Sequence, residues 1–229
     1  MKTKPPHQKS FSTHRCISMA VKSIIFDVDG TLVLLPIDWD RVSKLIAVES
    51  CSANSFLGFV YKCHGTESFW RVHKVLEGLE LEAVKKLIVL DNSPDFVKRL
   101  CRRYLVGFVT MQSRDAAEAI LSRLGLIDCM KVLVSRESAR NRVEQVAKAI
   151  KMLSAEPDKV LFIGDKVLDG FAAYVNGIRA VVVLRGNTCN RVSDTDYIIE
   201  DLEALGIPVA KSLAEAIEIS AKMNWIELL

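Results

Sequence analysis

Two aspartates stand two residues apart in the segment Asp27-Val28-Asp29-Gly30-Thr31-Leu32, directly after the apolar run at 24–26. Because strand side chains alternate between faces, both carboxylates can face one pocket at the end of a strand. Gly30 allows a tight turn there. One carboxylate could attack a substrate while the other moves a proton. The alternative is an ordinary polar turn, since Asp and Gly are common turn residues.

A second acidic segment, Gly164-Asp165-Lys166-Val167-Leu168-Asp169, follows another apolar run. Asp165 is expected at a strand tip and Asp169 on the first turn of the next helix. If these carboxylates meet Asp27, their repulsion requires a cation, and we expect Mg²⁺ because it prefers hard oxygen ligands. The alternative for Asp169 is a helix cap.

A third polar strand end reads Val109-Thr110-Met111-Gln112-Ser113-Arg114. The Thr110 hydroxyl and the free backbone N–H groups at a helix start form an anion site. We predict that Thr110, Met111 and Gly30 bind substrate. Ser113 can equally serve as an ordinary helix cap.

Short β-branched runs alternate with helical patterns along most of the chain. Strands are predicted at 23–27, 105–110, 131–134, 159–164 and 180–184, with a weaker one at 196–199. Helices are predicted at 94–103, 114–124, 140–153, 168–176 and 211–222. This alternation predicts an α/β fold with a doubly wound parallel sheet, in which ligands bind beyond the carboxyl ends of the strands.

Residues 36–90 interrupt the alternation with helical periodicity alone. Asp38 can cap a first helix, and further helices are expected near 55–63, 67–77 and 80–90. We predict a small helical cap above the pocket, inserted into a core formed by 21–35 and 91–229. Residues 1–20 are interpreted as a disordered tail, or as the product of a misassigned start with Met19 as the initiator.

Composition limits the other classes of function. Half of the 229 residues are hydrophobic, but no apolar stretch is long enough to span a bilayer, so no membrane role is expected. The net charge of +3 comes from five basic residues before Asp27, and it does not indicate a nucleic-acid-binding face. The six scattered cysteines form no zinc pattern and favour a cytoplasmic location. The sequence leaves the oligomeric state open.

Taken together, the motifs from about residue 22 to 222 resemble the haloacid dehalogenase-like hydrolase superfamily, in the branch with a helical cap between the first two motifs. The segment at 27–32 matches the first motif, Thr110 the second, and Gly164-Asp165 with Asp169 the fourth. The helix end at 172–177 is also similar to that of the family. The resemblance implies a Rossmann-like core.

The resemblance also implies roles for these residues. Asp27 would form an aspartyl-phosphate, and Asp29 would protonate the leaving alcohol and then activate water. Mg²⁺ would be held by the Asp27 carboxylate, the Asp29 main-chain carbonyl and Asp165, with Asp169 as a ligand or close by. Thr110 would bind phosphoryl oxygens.

The third motif departs from the family pattern, because no Lys is found at the expected helix start. Aligning the following helix puts Arg140 at that position, and Arg142 is the alternative. Arg supplies the same charge, but as a planar fork rather than a compact ammonium. The altered motif leaves weakened activity possible.

The sequence therefore predicts a Mg²⁺-dependent phosphatase acting on a small phosphorylated metabolite. The alternatives are a phosphomutase similar to β-phosphoglucomutase and a phosphate-binding protein without catalysis. The predicted cap offers eight polar or aromatic candidates for substrate selection, among which the sequence does not choose: Trp39, Arg41, Tyr61, Lys62, His64, Trp70, Arg71 and His73.

Overall fold

The structure, a computed structural model, describes residues 20–51, 53–185 and 199–227. Its labelled elements are, in chain order, β1 (Ser23–Asp27), β2 (Val33–Leu34), α1 (Trp39–Ala47), α2 (Phe56–Cys63), α3 (Glu67–Val84), β3 (Ile88–Val89), α4 (Ser93–Leu100), β4 (Leu105–Val109), α5 (Arg114–Arg123), β5 (Met130–Val134), α6 (Arg142–Met152), β6 (Val160–Gly164), α7 (Val167–Val175), β7 (Arg179–Val183), β8 (Val209–Ala210) and α8 (Leu213–Lys222). Residues 199–204 are also helical.

A six-stranded sheet with the order β5-β4-β1-β6-β7-β8 forms the centre of the molecule, and all its neighbouring strands are parallel. The central strand β1 is buried on both faces. Ile24 and Phe26 join an apolar cluster with α4, α5 and α8, whereas Ile25 joins a second cluster with α6 and α7. Helices therefore cover both faces, which confirms the predicted doubly wound α/β fold and explains the nearly continuous apolar strands.

The predicted elements agree with the structure to within one to three residues at most ends. Strand 23–27 is found as predicted, and helix 140–153 begins two residues late, at Arg142. Of the weak strand predicted at 196–199, residues 196–198 lie outside the described residues, and residue 199 is helical. The last strand of the sheet is instead Val209–Ala210, which is too short to give a clear period-2 signal.

The segment between the antiparallel strands β2 and β3 forms a helical insertion, α1 to α3. The prediction missed these strands and divided α3 in two. α3 runs unbroken through Gly78, because one exposed glycine costs a helix only about 1 kcal/mol. The three helices share an apolar cluster of their own, which includes Phe59, Phe69 and Leu76.

Two cysteine pairs are joined as disulfides, Cys51–Cys63 in the insertion and Cys101–Cys129 in the core. On the sequence alone, the scattered cysteines favour a reducing cytoplasm. Disulfides persist mainly in oxidising compartments, so these pairs do not favour the cytoplasm. The cytoplasmic location stays a prediction. Among the helices that the structure describes, none combines the length and apolarity needed to cross a bilayer.

Candidate active site

Three neighbouring strand tips bring the predicted motif residues together. β1 lies between β4 and β6, with Asp27 in register with Val109 and Phe26 in register with Ile163. Since the three strands are parallel, the residues after β4 and β6, which are Thr110 and Asp165, emerge on either side of Asp27. This edge of the sheet is where ligands bind in open α/β folds.

Three carboxylates form the centre of the site. Oxygen atoms of Asp27, Asp165 and Asp169 all lie within 4.8 Å of one another. Two glycines make this approach possible. Gly30 has a φ of +91°, and a Cβ there would overlap the Asp165 carboxylate, while a Cβ on Gly164 would overlap that of Asp169. Gly30 is thus required by its turn as well as by the close approach of Asp165, and Gly164 by the close approach of Asp169.

Arg142 links two of these carboxylates. Its Nη2 donates to Asp27 Oδ1 at 2.6 Å, and its Nε lies 2.8 Å from Asp169 Oδ1. The side chain is only 7% exposed, and Gln145 orients it by accepting from Nη1 at 3.0 Å. Gln145 in turn donates to the carbonyl of Thr110. The planar guanidinium therefore serves two carboxylates at once.

Arg140, which sequence alignment placed at the third motif, lies outside this cluster. Its exposed side chain donates to Glu144 Oε1 at 2.6 Å. The helix begins two residues later than predicted, because Asn141 caps α6 by accepting from the N–H of Glu144. Arg142, the alternative residue, occupies the first helical position, from which it reaches Asp27.

Asp29 and Thr110 are both fixed beside the cluster. Asp29 Oδ1 accepts from the N–H of Leu35 at 2.9 Å, and its Oδ2 accepts from Gln112 Nε2 at 3.3 Å. The fully buried Thr110 hydroxyl donates to Gln112 Oε1 and accepts from the Gln112 N–H. Gln112, which the sequence analysis did not single out, thus connects the two. The Asp29 carboxylate is not part of the group formed by Asp27, Asp165 and Asp169.

Burial raises the pKa values of the aspartates. Burial is the main reason that the pKa of Asp27 is raised to about 6. The nearby Arg142 lowers this pKa, and Asp165 raises it further. Burial likewise raises the pKa of Asp29 to about 6, against the effect of the Leu35 N–H. The pKa values of Asp165 and Asp169 are raised for the same main reason. The site holds its negative charge at an energetic cost.

The charge balance of the site fits a divalent cation. When ionised, Asp27, Asp29, Asp165 and Asp169 bring four negative charges. Two cations lie among them: Arg142, and Lys166, whose Nζ is 2.9 Å from Asp165 Oδ2. One divalent ion would neutralise the remainder, and an all-oxygen donor set suits a hard ion such as Mg²⁺. Lys166 was not predicted, although its position next to Asp165 was a signal.

A cavity of about 330 Å³ opens above these residues. Asp27, Asp29, Thr110, Met111 and Asp169 line it, so five of the predicted site residues share one space. Of the eight candidates in the predicted cap, Trp39 lines the cavity. His64 and His73 instead contact Arg136, through its carbonyl oxygen and its guanidinium respectively.

A buried ion pair joins the helical insertion to the core. Arg136, after β5, forms a bidentate pair with Glu80 of α3, with a shortest distance of 2.6 Å, and both side chains are at most 2% exposed. Arg136 also donates to the Met111 carbonyl at 2.7 Å, while Glu80 accepts from the N–H of Ser113. The pair therefore holds the segment that carries Thr110 in place.

His73, Glu77 and Glu137 form a second group with metal-ligand chemistry. Arg136 donates to His73 Nδ1 from 3.3 Å, so this nitrogen is the acceptor and Nε2 carries the proton. Nε2 faces the two glutamates at 3.6 Å. A protonated Nε2 is not a metal ligand, so we interpret this group as part of the contact between insertion and core.

Comparison with known proteins agrees with this geometry. The family model described as haloacid dehalogenase-like hydrolase matches residues 41–183. One curated relative is the pyrophosphatase PpaX of Bacillus cereus (strain B4264), which is 21% identical over 85% of this chain and 99% of its own length. Another is the phosphoglycolate phosphatase of Synechococcus elongatus, which is 25% identical over 72% of this chain and 85% of its own length.

Solved structures show the same fold. A hydrolase from Pseudomonas syringae is 20% identical with a TM-score of 0.66, covering 88% of this chain and 98% of its own. A haloacid dehalogenase-like protein from Streptococcus pneumoniae, SP0104, is 16% identical with a TM-score of 0.60, and the match covers 89% of this chain and 98% of its own. The chain belongs to the haloacid dehalogenase-like hydrolase family, as its motifs predicted.

Proposed function

We propose that this protein is a Mg²⁺-dependent phosphomonoester hydrolase that acts on a small phosphorylated metabolite through an aspartyl-phosphate at Asp27. The observation that carries the proposal is the buried Asp27 carboxylate at a strand tip, held 2.6 Å from Arg142 and grouped with Asp165 and Asp169. The names of the two curated relatives, a pyrophosphatase and a phosphoglycolate phosphatase, support a small phosphorylated substrate.

Each residue has a part in the proposed reaction. An Asp27 oxygen attacks phosphorus and the bond to the leaving oxygen breaks, while Asp29 gives that oxygen a proton. Water then attacks the phosphoryl group, Asp29 takes its proton, and phosphate leaves with Asp27 regenerated. A pKa of about 6 suits Asp29 to both transfers near neutral pH. The Thr110 hydroxyl, once its proton turns away from Gln112 Oε1, and the Met111 N–H would bind phosphoryl oxygens, and Gly30 leaves room for Asp165.

The cation would be held by Asp27, Asp165 and Asp169 together with the Asp29 main-chain carbonyl. When bound, it neutralises negative charge on the transferring group. Arg142 contributes in the same sense, because it compensates charge next to the attacking oxygen. The helical insertion would act as the cap that selects substrate.

The direct test is phosphate release by the purified full chain with Mg²⁺, on p-nitrophenyl phosphate and a panel of phosphorylated metabolites. We expect release that stops with EDTA and returns with added Mg²⁺. Free phosphate as the product distinguishes hydrolysis from isomerisation of the ester. No release from any member of the panel would contradict the proposal.

Arg142 and Arg140 give a matched test of the third motif. Arg142→Ala removes the cation beside Asp27, so we expect kcat/KM to fall about 10²- to 10³-fold. Arg140→Ala removes an exposed pair with Glu144 and should change kcat/KM by less than about threefold. Arg142→Lys should retain more activity than Arg142→Ala. Equal losses in the two alanine variants would contradict the assignment of Arg142.

Cation binding should depend on pH. In the folded protein the pKa of Asp27 and of Asp29 is about 6, above the ordinary value of 3.8. The stability that the protonated carboxyls give to the metal-free fold is therefore fully present below about pH 4. It is lost as the pH rises through 6 and the buried carboxyls ionise. At about pH 5 a cation that binds the Asp27 carboxylate must displace its proton. We expect MgCl₂ to raise the Tm more at about pH 7.5 than at about pH 5.

Two variants control that measurement. Asp165→Asn removes one member of the carboxylate group and should abolish the Mg²⁺-induced rise in Tm. Asp158→Asn changes an exposed carboxylate, paired with Lys159 outside the site, and should preserve the rise. An equal rise at both pH values, or a full rise in Asp165→Asn, would count against the proposed cation site.

A further inference from the structure

The cavity above the carboxylates has two unlike sides. Its polar lining, which we call the floor, consists of Asp27, Asp29, Asp169, Thr110, Gln112, Arg142 and Lys166. Its apolar lining, which we call the apolar wall, consists of Trp39, Phe56, Leu57, Met111 and Leu168. The first three of these belong to the helical insertion. A substrate phosphoryl group on the floor would therefore point the rest of the molecule towards the wall.

The apolar wall is exposed to solvent in this structure. Trp39 is 45% exposed, Leu57 39% and Leu168 38%. The rings of Trp39 and Phe56 pack against each other with their centroids 5.5 Å apart, which fixes an aromatic surface at the starts of α1 and α2. Exposed apolar side chains gathered around a cavity indicate a ligand that covers them.

The charges around the cavity restrict that ligand further. Among the described residues that line it, the cations are Arg142 and Lys166, and these are paired with Asp27 and Asp165 respectively. The insertion adds Ser55 as its polar lining residue, and this hydroxyl already accepts from the N–H of Gly58 as a helix cap. If the substrate carried a second anionic group, that group would lose its hydration against the apolar wall without gaining a cation as partner. Burying an unpaired charge in this way costs binding free energy.

We propose that this site selects phosphomonoesters whose leaving alcohol carries an uncharged apolar body, preferably aromatic, and discriminates against substrates with a second anionic group. This inference rests on the proposed phosphatase function. It separates this protein from the two curated relatives, because pyrophosphate and phosphoglycolate both carry a second anionic group. Trp39 and Phe56 would then be the residues that determine specificity.

The test compares three esters of unactivated alcohols, among which leaving-group reactivity does not decide the result, and one anhydride, pyrophosphate, which has a better leaving group. The purified protein with Mg²⁺ is given 2-phenylethyl phosphate, propyl phosphate, 2-phosphoglycolate and pyrophosphate, and phosphate release is measured. We expect kcat/KM for 2-phenylethyl phosphate to exceed that for each of the others by about tenfold or more. A preference for 2-phosphoglycolate or pyrophosphate would overturn the inference while leaving the phosphatase function standing. No release from any of the four would overturn the inference, and no release from p-nitrophenyl phosphate and the metabolite panel as well would overturn both.

Two tryptophans provide a matched pair of variants. Trp39 and Trp70 both lie in the insertion and are 45% and 46% exposed, but only Trp39 is among the described residues lining the cavity. Trp39→Ala should lower the ratio of kcat/KM for 2-phenylethyl phosphate over propyl phosphate about tenfold, and Trp70→Ala should leave the ratio unchanged. An unchanged ratio in Trp39→Ala would overturn the role of the wall.

A gain of charge tests the other half of the inference. Leu57→Lys places an ammonium on an exposed position of the wall and should raise kcat/KM for 2-phosphoglycolate relative to 2-phenylethyl phosphate. Circular dichroism of each variant identifies any that fails to fold. If Leu57→Lys folds and this ratio does not rise, the missing cation is not what limits anionic substrates.

Discussion

We expect Asp27→Asn to lose phosphatase activity almost completely while the protein remains folded. The amide cannot form the acyl phosphate, so we expect kcat for p-nitrophenyl phosphate to fall at least about 10⁴-fold, as for loss of a nucleophile elsewhere. Asn has nearly the shape of Asp, and Arg142 keeps its second partner, Asp169. The substitution also removes a negative charge from beside Asp165, so the metal-free Tm should stay level or rise.

The control for this variant is Asp95→Asn, which changes an exposed aspartate in the first turn of α4, away from the site. It should keep full activity. Activity in Asp27→Asn within about tenfold of the unaltered protein would exclude Asp27 as the nucleophile. A collapse of Tm in that variant would show that Asp27 mainly supports the fold.

The largest effect on stability is expected from the ion pair between Arg136 and Glu80. Removing one partner leaves the other charge buried without compensation, so Arg136→Ala should lower the free energy of unfolding by about 3–5 kcal/mol. The Met111 carbonyl and His73 Nδ1 lose a hydrogen-bond donor in the same variant. Urea unfolding followed by circular dichroism measures the loss.

Arg140→Ala is the matched control, because it breaks an exposed pair between the loop before α6 and Glu144 and should cost no more than about 0.5 kcal/mol. Replacing both members of the buried pair, as in Arg136→Met with Glu80→Leu, should recover part of the loss, since apolar side chains can replace a buried ion pair. A cost below about 1 kcal/mol for Arg136→Ala would show that the pair does not hold the insertion to the core.

The features that the sequence predicted well are local ones. Asp27 and Asp29 follow a strand whose apolar run is unmistakable, and the parallel strand order brings Thr110 and Asp165 to the same edge. These inferences need only the period of a strand and the direction of a parallel sheet. The glycines at 30 and 164 add a signal, because few other residues tolerate such close approach.

Which arginine occupies the third motif depends on the residue that caps the start of α6. Aligning the helix by its apolar residues put Arg140 at the critical position, whereas the helix begins after Asn141. Asn is a strong N-cap residue, so giving weight to Asn141 would have favoured Arg142. A two-residue shift at a helix start separates a side chain that points into the site from one that lies in solvent.

The contacts between the insertion and the core could not be predicted. Glu80 and Arg136 are 56 residues apart, and each alone resembles an ordinary solvated charge. Only the packing of α3 against the segment after β5 buries them together. The apolar wall is similar, because Trp39 and Phe56 meet through the packing of two separate helices.

The most direct test of the central claim is to trap the phosphorylated Asp27. In Asp29→Asn, p-nitrophenyl phosphate can still transfer its phosphoryl group, because p-nitrophenolate leaves without a proton, but the base for the second step is missing. After rapid acid quenching, peptide mass spectrometry should find a phosphoryl group on Asp27, together with a burst of one equivalent of p-nitrophenolate. A burst with the phosphoryl group on another residue, or turnover with no covalent intermediate, would contradict the account.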